Sequence, residues 1–486
     1  MSGDTPKPDK SLLDPADWDA FRSEAHALLD QMIGHLQHAG EGPVWQPLPD
    51  AAKNALATPS PKTPSAVETL RSELGQLIQP YVVGNTHPRF WGWVHGTGTP
   101  GGMLAEMAAA ALNANCGGRN HVGIELERIV VDWARSWFGL PDTAGGLLVS
   151  GSSMANLLAL AIARHHKAGH DVRALGNGDA KLVAYASSEA HLSVSKAFEV
   201  LGLGRAALRS VPIDADLRMD VAALRKAIAA DRAAGQKPFA VIANTGSVNS
   251  GAFDDLNAIA DLCKTEGLWL HVDGAFGALV MLNPTLASRA AGIERADSIA
   301  FDFHKWLHVP YDAGCVLVRD KALQIAAFGG RPDYLASIGG LGAGEAWPSD
   351  LGIELSRGFR ALKVWWTIKE HGTARLGEAI ARNCAQAKLF EGLLRKNPAI
   401  EVLAPVSLNI VCCRYRAPGL DDKALDDLNA RIIVAIQESG VAVPSSCRIG
   451  GKLAIRVCIT NHRSRDSDFV LMAETIAATG SRLAKA

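Results

Sequence analysis

The sequence has no cysteine framework. Its eight cysteines, Cys116, Cys263, Cys315, Cys384, Cys412, Cys413, Cys447 and Cys458, show neither CxxC spacing nor a regular interval. That argues against a zinc ribbon or a disulfide scaffold and for reduced, mostly core thiols. An excess of charge of one sign is also missing: 49 Lys+Arg nearly cancel 50 Asp+Glu, and no basic run makes up locally for the balance. Nucleic acid and acidic membrane surfaces are therefore not expected partners. No apolar run reaches the length of a membrane span, and Met1 to Lys10 is polar with no apolar segment behind a basic start, so a cytoplasmic protein is expected. Internal repeats and long low-complexity tracts are absent too. What remains is a 486-residue chain, 48% hydrophobic and 20% charged, long enough for two or three packed units around a large core.

Apolar positions Phe21, Ala25, Leu28, Leu29, Met32 and Leu36 recur at helical spacing and predict one amphipathic helix over 15–38, with Asp14 as N-cap and Pro15 in the first turn. The stretch 41–64 is rich in proline and alanine and reads as an extended arm. Residues 1–85 are therefore taken as an N-terminal helical arm and dimerisation segment. From 86 to 372, short apolar runs alternate with helical stretches, the pattern of a parallel sheet covered on both faces. Strands are expected at 181–186, 239–244, 269–273, 298–303 and 315–319, and helices at 155–166 and 255–266. Residues 373–486 read as a smaller α+β unit, with a helix carrying Leu376, Ile380, Ala387, Phe390 and Leu394, strands near 409–415 and 453–459, and a helix at 424–439.

Four segments carry residue types suited to chemistry. In SIAFDFHKW (298–306) an apolar strand ends at His304 and Lys305. A partly desolvated lysine at the carboxyl end of a strand can attack an aldehyde, although a solvated lysine fits the same pattern. LWLHVDGAFGA (268–278) delivers Asp273 to a strand end, where it either caps the next turn or charges a pyridinium nitrogen. GLLVSGSSMANLLALAIARHH (146–166) passes from a strand through Gly151, Ser152 and Ser153 into a helix. This is a layout for a phosphate and equally for an ordinary cap. SSEAHLSVSKAF (187–198) sets His191 between a strand and a helix, where it either stacks on a planar ring or caps the helix.

Together, in this order, the segments resemble the group II pyridoxal phosphate decarboxylases, the superfamily of aromatic-amino-acid, histidine, glutamate and diaminobutyrate decarboxylases. The resemblance extends through HPRFWGW (87–93), ELERIVVDW (125–133), NTGSVNSGAFDDL (244–256), DSIAFDFHKWL (297–307) and LSRGFRALKVWW (355–366). It implies an aspartate-aminotransferase-like (type I) fold, with a large, mostly parallel-sheet domain and a small α+β C-terminal domain. It further implies a homodimer with active sites at the subunit interface. Carried over by position, it implies that Lys305 holds pyridoxal 5'-phosphate as a Schiff base and that Asp273 pairs with the ring nitrogen. His191 would stack on the ring, Thr245 would lie near the ring hydroxyl and Ala275 beneath the ring. Gly151, Ser152, Ser153 and Asp302 would bind phosphate, the carboxylate only if protonated, offset or bridged by water. His304 would bind phosphate or assist proton transfer. Trp91, Trp93, His95, Gly96 and Thr97 are candidates for the substrate side, and their aromatic content favours a bulky side chain, although the tryptophans also read as core.

The implied reaction is decarboxylation of an L-amino acid to its amine and CO2. Decarboxylative oxidation or transamination on the same scaffold, and a cofactor-binding protein without turnover, are the alternatives. The chain departs from the family pattern where many relatives carry a loop tyrosine that protonates the α carbon. The matching stretch GGLGAGEAWPSDLGIE (339–354) has none, Pro348 lies near its place, and Tyr334 is upstream. Met154 stands where an acid is frequent and Gly358 where a second arginine is frequent.

Overall fold

The apolar runs in the middle of the chain build a seven-stranded sheet. The structure, a computed structural model, describes residues 13–330, 339–344 and 346–485. Strands β1 (Gly145–Val149), β2 (Leu182–Ser187), β3 (Leu208–Val211), β4 (Lys237–Asn244), β5 (Trp269–Asp273), β6 (Ser298–Asp302) and β7 (Gly314–Val318) lie in the order β1-β7-β6-β5-β4-β2-β3. β1, β2, β5, β6 and β7 are buried along their whole length. Covered on both faces, they have no solvent side to favour alternation, so they read as unbroken apolar runs.

The strands from β6 to β3 run parallel, whereas β7 is antiparallel to both of its neighbours. Only residues 303–313 join β6 to β7, too few for the crossover that a parallel pair needs. The sheet is thus mostly rather than wholly parallel. The tight return holds the one-turn helix Phe303–Trp306 at the carboxyl end of β6, beside that of β5 (Asp273 is opposite Ala300).

A second, antiparallel sheet, order β10-β11-β9-β8, comprises β8 (Ile400–Val402), β9 (Ile410–Tyr415), β10 (Ser445–Ile449) and β11 (Lys452–Cys458). Helices Asp422–Glu438 and Asp466–Leu483 pack with it around a core that includes Phe390, Ile432, Val457 and Phe469. The long helix Arg360–Arg395 runs from the first sheet's core to this one and breaks at Gly372 (φ 70°, ψ 153°), a left-handed φ that favours glycine.

The N-terminal helix differs from its predicted limits. It spans Trp18–Gln37 and is capped by Asp17, not Asp14: Asp17 Oδ1 accepts the amides of Asp19 and Ala20, each at 3.0 Å. An N-cap must reach the second or third amide beyond it, and Asp14 lies too far upstream. None of its residues is buried in the single chain, and Trp18, Phe21 and Ile33 are exposed.

Candidate active site

The carboxyl ends of β5 and β6 and the start of helix Ser152–Lys167 converge on a cavity of about 590 Å³. Its wall includes Gly151, Ser152, Ser153, His191, Asp273, Ala275, Asp302, His304 and Lys305, so segments spread over 155 positions of sequence meet at one point. Trp93 and His95 form part of the opposite wall. There His95 stacks against Phe90 (ring centroids 5.4 Å apart) and Trp93 (5.8 Å), which also touch each other at 6.3 Å.

The other residues singled out from sequence lie behind the wall. Thr245 is fully buried. Trp91 belongs to the core of the small sheet, stacked on Phe469 at 5.0 Å with its indole N–H on Ser464 Oγ at 3.1 Å. Thr97 is buried and its hydroxyl meets His462 Nδ1 at 2.7 Å and His308 Nδ1 at 3.2 Å. Gly96 packs beneath the lysine: a Cβ there would stand 1.9 Å from the carbonyl oxygen of His304 and 2.6 Å from that of Lys305.

Lys305 Nζ forms an ion pair with Asp302 Oδ2 at 2.8 Å, and Asp302 Oδ1 accepts the Ser152 amide at 2.7 Å. Burial works to raise the Asp302 carboxyl, but the charges of Lys305 and His304 outweigh it and hold the group below the usual carboxylate range. Asp302 is therefore an ionised cap at the helix start and not a protonated acid. His304 Nδ1 accepts the Ala313 amide at 3.0 Å, which places the proton of the neutral ring on Nε2, 3.7 Å from Asp302 Oδ2. Burial lowers the proton affinity of His304, His191 and His95, so all three favour the neutral form. Asp273, nearly buried, accepts Asn156 Nδ2 at 2.9 Å and the Ala275 amide at 3.2 Å.

Other residues on or behind the wall were not picked out from sequence. Tyr311 stacks against His304 (centroids 4.3 Å) with its phenol pushed up to about 12 by burial; its signal was a lone tyrosine in the turn after the lysine. Ser445, Ser446 and Arg456 arrive from β10 and β11 and carried no local signal. Asn156 was passed over as well, its one signal being a polar residue inside an apolar helical run. Met154 packs at the edge of the core where an acid was expected, Gly358 faces open space, and Tyr334 lies outside the described residues.

These residues fit pyridoxal phosphate. Ser152 Oγ and Thr245 Oγ1 are buried without a hydrogen-bond partner among the described residues, an arrangement that calls for a polar ligand group. At the start of helix Ser152–Lys167 the Ser152 amide goes to Asp302 and the Met154 amide to the Gly151 carbonyl, which leaves the Ser153 amide and the positive dipole end for an anion. A lysine and a buried carboxylate share the same wall, as an aldehyde-bearing pyridine requires.

Comparison with known proteins agrees. The family model of the pyridoxal-dependent decarboxylase conserved domain matches residues 49–416. An aromatic-L-amino-acid decarboxylase from Bacillus atrophaeus is 36% identical over 464 residues, 94% of this chain and 95% of that protein. Rat (Rattus norvegicus) histidine decarboxylase is 29% identical, covering 94% of this chain and 71% of its own. Among solved structures, Oryza sativa TDC with PLP and tryptamine superposes with a TM-score of 0.89 at 26% identity, covering 97% of this chain and 99% of that one. The glutamate decarboxylase domain of a Vibrio parahaemolyticus diaminobutyrate-pyruvate transaminase and L-2,4-diaminobutyrate decarboxylase gives 0.84 at 27%, covering 98% and 97%. The fold is thus the type I fold of these enzymes, and the chain belongs to the pyridoxal phosphate-dependent amino acid decarboxylases.

Proposed function

We propose that this enzyme decarboxylates an aromatic L-amino acid to its amine and CO2, acting as a cytoplasmic homodimer. The observation that carries the substrate reading is the aromatic wall of Trp93, His95 and Tyr311 facing the Lys305 side of the cavity. Such a surface favours a flat, bulky side chain. The 36% identity to an aromatic-L-amino-acid decarboxylase supports the same reading. The exposed apolar stripe of helix Trp18–Gln37 supports a second subunit, because alone it leaves Trp18, Phe21 and Ile33 in water. Eight free cysteines suit a reducing compartment.

In this reading Lys305 would anchor the cofactor, the hydroxyls of Ser152 and Ser153 and the Ser153 amide would hold its phosphate, and Thr245 would serve its ring hydroxyl. The bound cofactor supplies an electron sink for the pair left when the α-carboxylate departs as CO2. Asp273, held by two N–H donors, keeps its remaining lone pairs for the ring nitrogen. His191 covers one ring face and Ala275 the other. Asp302, 2.8 Å from Lys305 Nζ, would balance the positive charge on that nitrogen, and His304 holds its proton at Nε2 beside the carboxylate.

The test is a screen of purified enzyme for amine and CO2 release from tyrosine, tryptophan, DOPA, phenylalanine, histidine, glutamate and diaminobutyrate, with oxygen uptake followed in parallel. Aromatic substrates should give amine and CO2 without oxygen consumption, and Lys305→Ala should abolish both turnover and borohydride-trapped cofactor. A preference for acidic or short substrates would overturn the aromatic reading. Aldehyde formation with oxygen uptake would overturn simple decarboxylation.

A further inference from the structure

Trp269, His271 and Asp273 alternate along β5 and so share one face, which looks onto Asn156 of helix Ser152–Lys167. A continuous buried chain of polar contacts joins them. Trp269 Nε1 donates to Ser298 Oγ at 2.8 Å, and Ser298 Oγ lies 2.9 Å from His271 Nδ1. His271 Nε2 lies 2.9 Å from Asn156 Oδ1, and Asn156 Nδ2 donates to Asp273 Oδ2 at 2.9 Å. The same Nδ2 donates to Ser193 Oγ at 3.0 Å, which lies 2.8 Å from His191 Nδ1. All six residues from Trp269 to Ser193 are buried.

The direction of every bond follows from the two ends. An indole N–H can only donate and an ionised carboxylate can only accept. Ser298 therefore accepts from Trp269 and gives its own proton to His271 Nδ1. That leaves the His271 proton on Nε2, pointing at Asn156 Oδ1, and the Asn156 amide is locked with Nδ2 towards Asp273. A flipped amide would set oxygen against carboxylate. Full burial, which lowers His271 to about 4, keeps it in this neutral state. The second N–H of Asn156 occupies a Ser193 lone pair and turns the serine proton to His191 Nδ1, which also accepts the Ser193 amide at 3.2 Å. His191 then carries its proton on Nε2.

We infer that Asn156 is a positioning residue that sets two cofactor-facing groups at once, holding Asp273 as an acceptor and, by orienting the Ser193 hydroxyl, giving His191 Nδ1 a second donor beside the backbone amide that already makes it an acceptor. Asn156 itself does not line the cavity. The inference rests on the proposed reading that Asp273 and His191 face the cofactor.

The test uses full-length Asn156→Leu and Ser193→Ala, with Asp273→Asn as reference. Two readouts are followed: cofactor affinity by fluorescence titration, and the imidazole nitrogen shifts of His191 in histidine-labelled protein, assigned with His191→Gln. Losing a hydrogen bond to a charged acceptor should weaken cofactor binding by about tenfold to a hundredfold in Asn156→Leu. The same change should add little in the Asp273→Asn background, and the His191 Nδ1 signal should shift as the serine hydroxyl is no longer oriented towards it. Ser193→Ala removes the hydroxyl and keeps the amide, so it should shift the same Nδ1 signal with a smaller change in affinity, and it decides the matter if Asn156→Leu does not fold. Wild-type affinity with an unshifted His191 Nδ1 signal in these variants would overturn the inference. An unchanged affinity in Asp273→Asn would instead overturn the site assignment beneath it.

Discussion

Lys305 Nζ and Asp302 Oδ2 lie 2.8 Å apart, and the other oxygen of this carboxylate caps the first amide of helix Ser152–Lys167 at 2.7 Å. One buried group thus ties the lysine to the Gly151–Ser153 turn. Asp302→Asn keeps an oxygen for the Ser152 amide and removes the charge that balances Lys305. Apoprotein stability should fall by about 2 kcal/mol, measured by urea unfolding. Because the Asp302 carboxyl is held below its ordinary value, its contribution is complete above about pH 4 and is lost on acidification below that. The difference between wild type and Asp302→Asn should shrink accordingly.

The motifs ELERIVVDW and LSRGFRALKVWW meet through one buried bidentate pair. Arg357 Nη1 reaches Glu127 Oε2 at 2.8 Å and Nη2 reaches Oε1 at 2.7 Å, while Glu127 Oε1 also accepts the Leu148 amide of β1 at 2.9 Å. Removing one partner strands a buried charge, so Glu127→Gln or Arg357→Leu should each cost about 3–5 kcal/mol. The double variant should cost less than the sum of the two, as a double-mutant cycle in denaturant would read.

Acid should destabilise the protein through histidines that never reach water. Burial lowers His271 to about 4 and, together with the nearby Arg463 charge, His308 to about 3. Unfolded, both would titrate near about 6.5. Between these values the unfolded chain binds protons that the native state refuses. Stability is therefore whole above about pH 6.5 and falls as the pH drops towards 4 and then 3, by the order of 3 kcal/mol per histidine. His308 has a positive φ of 56°, so His308→Asn keeps a backbone-compatible residue and should flatten part of this slope in urea midpoints taken from about pH 7 to about pH 5.

Gly314, at the start of β7, bears directly on the Gly151–Ser153 turn. A Cβ there would stand 2.4 Å from Gly151 Cα and 2.7 Å from Asp302 Oδ1. Neither is the free end of a flexible chain, so Gly314→Ala must displace the turn, at about 1–3 kcal/mol. Cofactor titration should show binding weakened by about tenfold, accompanied by a lower thermal midpoint.

Fold class and cofactor were legible because the chemistry needs particular residue types at strand ends. Asp273, His304 with Lys305, and the Gly151–Ser153 turn each follow a buried apolar run that is easy to read. Harder to see were elements whose residues face two ways. β3, β8 and β10 are short and only partly buried, with no clean period. The segment 91–97 shows the limit for sites: Trp91 and Trp93 look alike in sequence, yet one is core and the other wall, because the neighbouring strands that decide the difference lie more than 300 residues away. Asn156 went unread because its partners, Ser193, His271 and Asp273, are assembled only by the sheet.

The packing of Gly96 against the carbonyls of His304 and Lys305 has a consequence for how this enzyme can change its diet. Any side chain at position 96 pushes on the peptide that carries Lys305, so on the proposed role of that lysine, selection on substrate range cannot act there without disabling the catalyst. Novelty must enter through Trp93 and His95, whose side chains line the cavity. A randomised library across 91–97 should therefore yield survivors with new preferences at 93 and 95 and only glycine at 96.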